Sequence, residues 1–338
     1  MHAVMQDRMM SLYYSYISRS RGLTFFTGYD VPPPDFKVRF SDEIACQFDG
    51  VIERRKGGYD IVFQKKSVGK GLGARMGGRR AMSFLYYLNK ASADVERLPF
   101  HFSDGHELSL GGFFFSSYRE DAALVPDQYF FEAQGFEEMR DRIESEDVAW
   151  GSRSSDLVWR GGVNGLGWLS GQASLATHPL LQQRLRCAWL CKDSEIDFGF
   201  SAGVAQPHDP IIAKAGLNRP RVENISWFGR KFAIDIDGYS NTWDNLFHRM
   251  LMGCCVLKIA GDYGYRQWYY DRLLPWEHFV PVAADLSDLF EKYDWVRAND
   301  TRAKEIAQNA RALALSMTFE NEVKVAARNI EHNWQRLS

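Results

Sequence analysis

The chain has 338 residues, of which 45% are hydrophobic, and a formal net charge of -2. A chain of this length and composition can bury a large core, and its length predicts two domains. The nearly balanced charge excludes bulk attraction to nucleic acid, so any site for a polyanion must be local.

The N-terminal segment has no apolar run of signal-peptide type, because Asp7 and Arg8 interrupt it. No later segment reaches the roughly 18 uninterrupted apolar residues of a membrane span. The five cysteines lack paired metal-ligand spacing and are interpreted as buried apolar residues. We therefore expect a cytoplasmic protein. One helix face would carry Met9, Met10, Tyr13, Tyr14 and Ile17. The favoured interpretation is that this face packs on the protein's own core, and the alternative is peripheral contact with the cytoplasmic face of the inner membrane.

A break at VPPPDF is followed by two strand-like runs, KVRFSDEIACQF and YDIVFQ. The next segment, Lys65 to Arg80, is basic and rich in glycine, and it precedes the helical pattern AMSFLYYLNKA. It contains neither a Walker motif nor a Rossmann fingerprint, so we interpret it as a solvated loop. Two alternatives are contact with a phosphorylated or acidic acceptor and nucleic-acid binding, which would be strongly salt-dependent.

Two further strand-like runs, PFHF and GGFFFSS, flank a polar SDGHE loop. This places Asp104, His106 and Glu107 at the end of a strand, where clustered titratable groups are site candidates. A turn built from Asp and Gly explains the same pattern without a site. The charged run FEEMRDRIESEDVAW that follows is typical of a solvated helix.

The segment LVWRGG predicts a strand that ends at Arg160, Gly161 and Gly162. Glycines let a ligand approach the backbone, and arginine matches phosphate oxygens with two hydrogen bonds. A helix is then predicted over HPLLQQRLRCAWLC.

The stretch from Lys231 to Val282 predicts a β-α-β unit. Alternating apolar residues give a strand that ends at Asp237-Gly238, and CCVLKIA is a second strand of the type buried on both faces. Between them, with Asn241 or Thr242 as the expected cap, one helix face is formed by Trp243, Leu246, Phe247, Met250 and Leu251.

Ligands of such units bind beyond the carboxyl end of the strand, where the N–H groups of the next helix attract phosphate. A nucleotide-type ligand is therefore expected near Asp237 to Trp243. A purely structural β-α-β unit would have the same pattern.

The same stretch carries a family resemblance. The string PW-x-H-[FY]-[VI]-PV spans Pro275 to Val282, and DLS and a W-x-x-x-ND-x-x-A-x-x-IA-x-N pattern follow it. In this order the motifs resemble glycosyltransferase family 90, which holds lipopolysaccharide core glycosyltransferases, fungal capsule-associated transferases and animal protein O-glucosyltransferases. The resemblance runs from about Leu98 to about Ala314.

The resemblance implies an α/β fold of two Rossmann-like domains in the type B glycosyltransferase arrangement. Residues 1–150 would form the acceptor-side domain and residues 155–315 the donor-nucleotide domain. A helix in residues 316–338 would cross back.

The resemblance also implies the donor-binding residues Arg160, Gly161, Asp237, Gly238, Ser240, Trp243, Arg249 and His278. Arg160 matches the family's aromatic-Arg-Gly-Ser string, in which Gly162 here replaces the serine. The arginine of the family's Ser-x-Arg-Phe string has no clean match, because Asp244 and Asn245 lie near its place. His278 is expected to border the donor site, although it and Glu277 are interpreted as mainly structural.

Asp235-Ile236-Asp237 has the D-x-D form of a metal motif, and alternation would place both carboxylates on one face. The resembling family is nevertheless metal-independent, so we expect no metal and no other cofactor. The leaving diphosphate would be stabilised by Arg160, by the N–H groups of the helix near Trp243 and by Arg249. Asp237 would hold the loop.

By resemblance, Asp104 falls on the family's catalytic base, and His106 or Glu107 is the possible substitute. The expected function is an inverting glycosyltransferase that moves glucose or galactose from a UDP-sugar to a lipopolysaccharide core or related glycan. The acceptor would be a glycolipid or oligosaccharide, with no nucleic-acid partner. The alternative is a catalytically inactive carbohydrate- or nucleotide-binding protein of the same fold.

Overall fold

The structure is a computed structural model, and it describes residues 34–42, 48–65, 67, 72–104, 111–201 and 210–337. Contacts divide it into two compact units. Unit 1 consists of the described residues up to Gly135 together with the C-terminal helix from Phe319, and unit 2 spans Phe136–Thr318.

The strands and helices of the described residues are as follows. The strands are β1 (Phe36–Ser41), β2 (Gly50–Arg55), β3 (Gly58–Gln64), β4 (Arg97–Phe100), β5 (Phe113–Phe114), β6 (Ala123–Leu124), β7 (Val158–Gly161), β8 (Asp197–Phe200), β9 (Phe232–Asp235), β10 (Cys255–Ile259) and β11 (Val280–Val282). The helices are α1 (Leu72–Lys90), α2 (Gln128–Glu132), α3 (Glu137–Glu146), α4 (Gln183–Cys191), α5 (Pro210–Ala215), α6 (Asp244–Leu251), α7 (Leu289–Ala298), α8 (Asp300–Ser316) and α9 (Phe319–Leu337).

Unit 1 is built on a six-stranded mixed sheet with the order β1-β3-β2-β4-β5-β6. Strands β2 and β3 form an antiparallel hairpin. Its turn contains Gly57 at φ +80°, a backbone region that glycine enters without steric cost. Strands β1 and β3 are parallel, as are β4, β5 and β6. The α/β class is thus confirmed, whereas the mixed sheet does not confirm a Rossmann-like domain in this unit.

Helix α1 begins inside the basic, glycine-rich segment, which corrects the interpretation of that segment as a solvated loop. Residues 72–80 are helical, and residues 68–71 lie outside the described residues. Arg80 is only 3% exposed. Further along α1, the ring of Phe84 stacks on Phe115 at 4.4 Å and on Phe100 at 5.1 Å. The helix therefore starts early because its apolar face is packed on the sheet.

Unit 2 contains two parallel sheets, β7-β8 and β9-β10-β11. A parallel bridge between Ser154 and Arg230 lies just before β7 and β9, and these two strands contact each other. The strands therefore lie in the spatial order β8-β7-β9-β10-β11, but hydrogen bonds divide them into two sheets, which does not confirm a Rossmann-like domain in this unit. The predicted β-α-β unit, β9-α6-β10, is confirmed.

The predicted start of the helix in this β-α-β unit is wrong by one residue. Trp243 precedes α6, with φ 55°, and does not belong to its apolar face. The Asn241 Oδ1 atom accepts a hydrogen bond from the Trp243 N–H at 2.8 Å. Thr242 instead donates its hydroxyl to Asp235 at 2.5 Å. The turn is thus held by both residues that the sequence proposed as caps.

The core of unit 2 lies between the strands and their helices. Its fully buried members include Trp159, Phe198, Ile234, Leu257 and Val280. Cys187, Cys191, Cys254 and Cys255 are buried, as expected, and Cys46 lies outside the described residues. Among the described helices, none combines the length and apolar character that a membrane span requires.

Candidate functional site

A narrow crevice opens where the strand order of unit 2 reverses, between the carboxyl ends of β7 and β9. Doubly wound sheets bind their ligands at this position. We call it the switch-point crevice; its walls are formed by Gly165, Leu166, Gln183, Arg184, Asp237, Gly238, Ser240, Asp262, Tyr263 and Tyr265.

Asp235 holds the loop between β9 and α6. Its carboxylate has no exposed surface and lies 2.8 Å from the Lys258 ammonium. It also accepts hydrogen bonds from Thr242 and, at 3.3 Å, from the Asn245 side-chain amide. This corrects the expectation that Asp237 holds the loop.

Asp237 has a different environment from Asp235. Its Oδ1 atom is buried and has no hydrogen-bond partner among the described residues. Burial raises the pKa of Asp237 to about 7, assisted by the Asp235 and Asp262 carboxylates and opposed by Lys258 and Arg184. An unpaired buried oxygen costs free energy unless a ligand satisfies it, so Asp237 is a candidate ligand-binding group.

Arg184, in the first turn of α4, is the site residue that the sequence interpretation missed. It is 9% exposed. Its guanidinium donates to the Ile236 carbonyl at 3.1 Å, to the Gly162 carbonyl at 3.2 Å and to the Asn164 side chain. No carboxylate of the described residues forms an ion pair with it. Burial therefore lowers the pKa of Arg184 to about 10, although Asp237 and Asp235 oppose this shift.

A sequence signal for Arg184 exists. Leu185 and Ala188 lie on the buried face of α4, and neither has exposed surface. Arg184 lies four residues before Ala188, so it occupies the same face. A charged residue on an apolar face requires a polar partner or a ligand.

Two other predicted residues also line the switch-point crevice. Gly238 passes close to Arg184, since a Cβ at this position would be 3.0 Å from Nη2. The Ser240 hydroxyl is buried and has no partner among the described residues. The crevice therefore combines a buried guanidinium and a buried hydroxyl, which can donate hydrogen bonds to an anionic ligand, with a carboxyl oxygen that can accept one from a polar group.

Arg160 is placed at the end of β7 as predicted, but most of its hydrogen-bonding capacity is used within the protein. It donates to the carbonyls of Pro220, Trp159 and Asp197 at 2.7–2.8 Å, and to the Asp197 carboxylate at 2.6 Å. A guanidinium has five N–H groups, so at most one remains for a ligand. Arg160 mainly joins β7 to β8.

A larger cavity of about 500 Å³ adjoins Gly161 and Gly162. Arg249 lies in its wall, 5% exposed, with its guanidinium 3.8 Å from the centre of the Trp227 ring and 2.6 Å from Asn224 Oδ1. It forms no ion pair with a described carboxylate, and burial lowers its pKa to about 10. Arg249 is thus a second buried cation that faces a cavity. The volume lies in the usual range for small-molecule sites.

His278 lies in the turn before β11. Its Nδ1 atom accepts a hydrogen bond from the Leu274 N–H at 3.0 Å, and its Nε2 atom is 3.8 Å from the Glu277 carboxylate. Neither His278 nor Trp243 lines the two cavities described above. The predicted donor residues are thus brought together only in part.

Asp104 follows β4 in unit 1. Its carboxylate is 29% exposed and lies 2.9 Å from the Arg80 guanidinium, which also donates to Gln128 at 2.8 Å. A half-buried carboxylate with an exposed edge can accept a proton from an incoming hydroxyl group. The alternatives His106 and Glu107 lie outside the described residues.

Within the described ranges, no group of three or more His, Cys, Asp or Glu side chains is arranged to hold a metal ion.

Comparison with known proteins supports the resemblance. Residues 205–323 match the model of glycosyl transferase family 90, which confirms the recognition of this family over that stretch. Human protein O-glucosyltransferase 3 is 29% identical over 166 residues, covering 48% of this chain and 31% of that protein. Uncharacterized protein 179R of Invertebrate iridescent virus 6 is 32% identical over 186 residues, covering 48% of this chain and 15% of that protein.

Protein O-glucosyltransferase 2 of Danio rerio is 35% identical over 94 residues, covering 27% of this chain and 18% of that protein. The aligned part of the chain thus spans well under half the length of these curated relatives. The comparisons support glycosyl transfer as the type of reaction.

Proposed function

We propose that this chain is an inverting glycosyltransferase that takes a hexose from a UDP-sugar bound to unit 2. Unit 2 would be the Rossmann-like donor domain, and unit 1 would carry the acceptor side with Asp104. The strand order of unit 2 supports the location of the donor, because the crevice of a doubly wound sheet lies at its switch point.

One observation carries the proposal. Arg184 is a buried guanidinium that lines the switch-point crevice and is paired with carbonyl and amide oxygens instead of a carboxylate. A buried charge without a counter-ion is costly, and a diphosphate would supply the missing negative charge. Like Arg160, Arg184 keeps one N–H, on Nη2, that has no acceptor among the described residues and can bind a phosphate oxygen. What distinguishes Arg184 from Arg160 is that no described carboxylate is paired with it.

The proposed reaction requires stabilisation of the leaving diphosphate and a base for the acceptor hydroxyl group. The departing diphosphate needs positive charge, which Arg184, Arg249 and the N–H groups at the start of α6 would supply without a metal ion. The acceptor hydroxyl must lose its proton as it attacks the anomeric carbon, and the Asp104 carboxylate would accept it.

The name of the human relative, protein O-glucosyltransferase 3, favours glucose over galactose as the transferred sugar. It also adds a protein hydroxyl to the acceptors to be tested, beside the lipopolysaccharide core or a related glycan. An inactive binding protein of the same fold is the alternative to an enzyme.

Titration calorimetry with UDP-glucose and UDP-galactose, in the presence of a chelator, tests the donor site. We expect binding to the wild-type protein and at least a tenfold loss in Arg184→Met, about the effect of losing one charged hydrogen bond. Arg297→Met is the matched control, because this exposed arginine pairs with Glu195 and Asp294 on the surface of the same unit.

Slow release of glucose from UDP-glucose without acceptor would identify an enzyme, and binding without any turnover would favour the inactive protein. Equal affinities of wild-type protein and Arg184→Met would contradict the assignment of the donor site. A requirement for manganese would contradict the metal-independent reaction.

A further inference from the structure

We propose that the switch-point crevice binds its diphosphate donor with Asp237 in the protonated, neutral form, so that each donor molecule bound takes up one proton. The inference rests on the proposed function, because it assumes that the diphosphate of a UDP-sugar binds at this crevice. It deepens that function by making donor affinity depend on pH through one identified carboxyl group.

The Asp237 carboxyl group lies against the backbone at Gly261, because a Cβ placed there would overlap Oδ2. Its Oδ1 atom is buried without a hydrogen bond among the described residues. Asp237 also lines the switch-point crevice, so a ligand bound there is placed to pair with the carboxyl group.

The neighbouring charges do not neutralise Asp237. Lys258, on β10, forms its closest ion pair with Asp235, at 2.8 Å. Asp262, after β10, is paired with Arg186 of α4. Among the described residues, Arg184 is the remaining cation near Asp237, and it forms no ion pair with this carboxyl group. The ionised form of Asp237 is thus already disfavoured in the free protein, where burial and the carboxylates raise its pKa to about 7.

A bound diphosphate would bring two more negative charges to the crevice. Like charges within a few ångströms disfavour ionisation of a carboxyl group, so the pKa of Asp237 rises further when the donor binds. At a pH above about 7 the carboxyl group must therefore gain a proton on binding. The neutral acid then has an O–H group that can donate to a phosphate oxygen, whereas the carboxylate can only accept.

The test measures proton uptake directly. From about pH 6 to about pH 8.5 the diphosphate of UDP-glucose carries two negative charges and the uracil ring is neutral, so the ligand itself contributes no proton uptake or release in this range. We expect calorimetry in buffers of different ionisation enthalpy to show uptake of about one proton per UDP-glucose at about pH 8. Wild-type affinity should fall by up to about tenfold per pH unit above the pKa of the free carboxyl group.

Asp237→Asn provides the decisive variant, because asparagine keeps the shape of the protonated acid and retains a hydrogen-bond donor. We expect this variant to bind UDP-glucose without proton uptake and with an affinity that is constant across the range. Near the upper end of the range it should bind more tightly than the wild-type protein. Asp271→Asn, an exposed aspartate paired with Arg266, is the control and should keep the wild-type proton uptake.

The possible results separate the proposed function from this inference. Absence of UDP-glucose binding at every pH overturns the proposed function and this inference together. Binding without proton uptake by the wild-type protein overturns only the inference, and this measurement needs no variant. Proton uptake that persists in a folded Asp237→Asn variant would assign the proton to another group and overturn the inference. Binding of UDP-glucose that requires manganese would assign the Asp237 carboxylate to a metal ion and overturn it as well.

Discussion

The Lys258 ammonium lies 2.8 Å from the Asp235 carboxylate, which has no exposed surface. This pair joins β10 to the end of β9, and the same carboxylate holds Thr242 in the loop before α6. One buried ion pair therefore supports the backbone from which the walls of the switch-point crevice project.

Replacing Lys258 with methionine should leave this carboxylate buried without a counter-ion. We expect the free energy of unfolding to fall by about 3 to 5 kcal/mol, as for other broken buried pairs. Urea denaturation measures the change. Lys324→Met, which removes an exposed pair with Glu320, should change it by less than about 1 kcal/mol. Similar effects of the two substitutions would show that the Lys258–Asp235 pair stabilises the protein no more than an exposed ion pair does.

Gly261→Ala should impair the crevice through steric overlap. The added methyl group would meet Asp237, and overpacking of this kind costs about 1 to 3 kcal/mol. We expect UDP-glucose affinity to fall about tenfold or more in calorimetry. Gly151→Ala is the matched control in the same unit, because a Cβ there meets no atom within 4 Å. Unchanged affinity in Gly261→Ala would mean that Asp237 does not contact the donor.

Asp104→Asn should keep the shape of the proposed base and remove its basicity. We expect turnover to fall by about a hundredfold or more, with donor affinity unchanged because the crevice lies in unit 2. Asp121→Asn, an exposed aspartate of unit 1 paired with Arg119, should retain activity. Near-normal turnover in Asp104→Asn, combined with loss in His106→Ala, would assign the base to the histidine.

Asp49 should make the stability of unit 1 depend on pH. Burial alone would raise its pKa, but the His101 imidazole, 3.7 Å away, and hydrogen bonds from Ser67 and the Phe102 N–H lower it below its usual value. A lowered pKa in the folded state stabilises the protein at neutral pH, and this stabilisation is lost as the pH falls through the folded value.

We therefore expect Asp49→Asn to lower the free energy of unfolding by about 1 to 3 kcal/mol at neutral pH, and by progressively less below about pH 4. Urea denaturation across this range, with exposed Asp94→Asn as the control, checks the prediction. A difference that does not change with pH would show that shape, and not charge, is what Asp49 contributes.

His278→Ala should act mainly on stability. The imidazole accepts the Leu274 N–H at 3.0 Å within the turn before β11, so its loss leaves one backbone donor without that partner. We expect a cost of about 1 to 3 kcal/mol and a lower melting temperature, with little change in UDP-glucose affinity. Lost turnover at an unchanged melting temperature would instead give His278 a role in the reaction.

The sequence by itself determined the β-α-β unit between Lys231 and Val282. Its strands and helix are encoded in apolar periods of two and about three to four residues, which are local properties of the backbone. The motif from Pro275 to Val282 is also a local feature of the sequence. It indicated the family that the comparison confirmed over residues 205–323.

The tertiary structure alone decided which arginine faces the crevice. Arg160 stands beside the glycines that suggested a phosphate site, but Asp197, from the neighbouring strand, occupies its guanidinium. Arg184 has no such carboxylate among the described residues and lines the crevice. Likewise, Arg80 in the basic segment turns inward because Asp104 and Gln128, distant in sequence, accept its hydrogen bonds. The apolar face of a helix can mark Arg184 as a residue that needs a polar partner, but which group supplies that partner depends on contacts between distant segments.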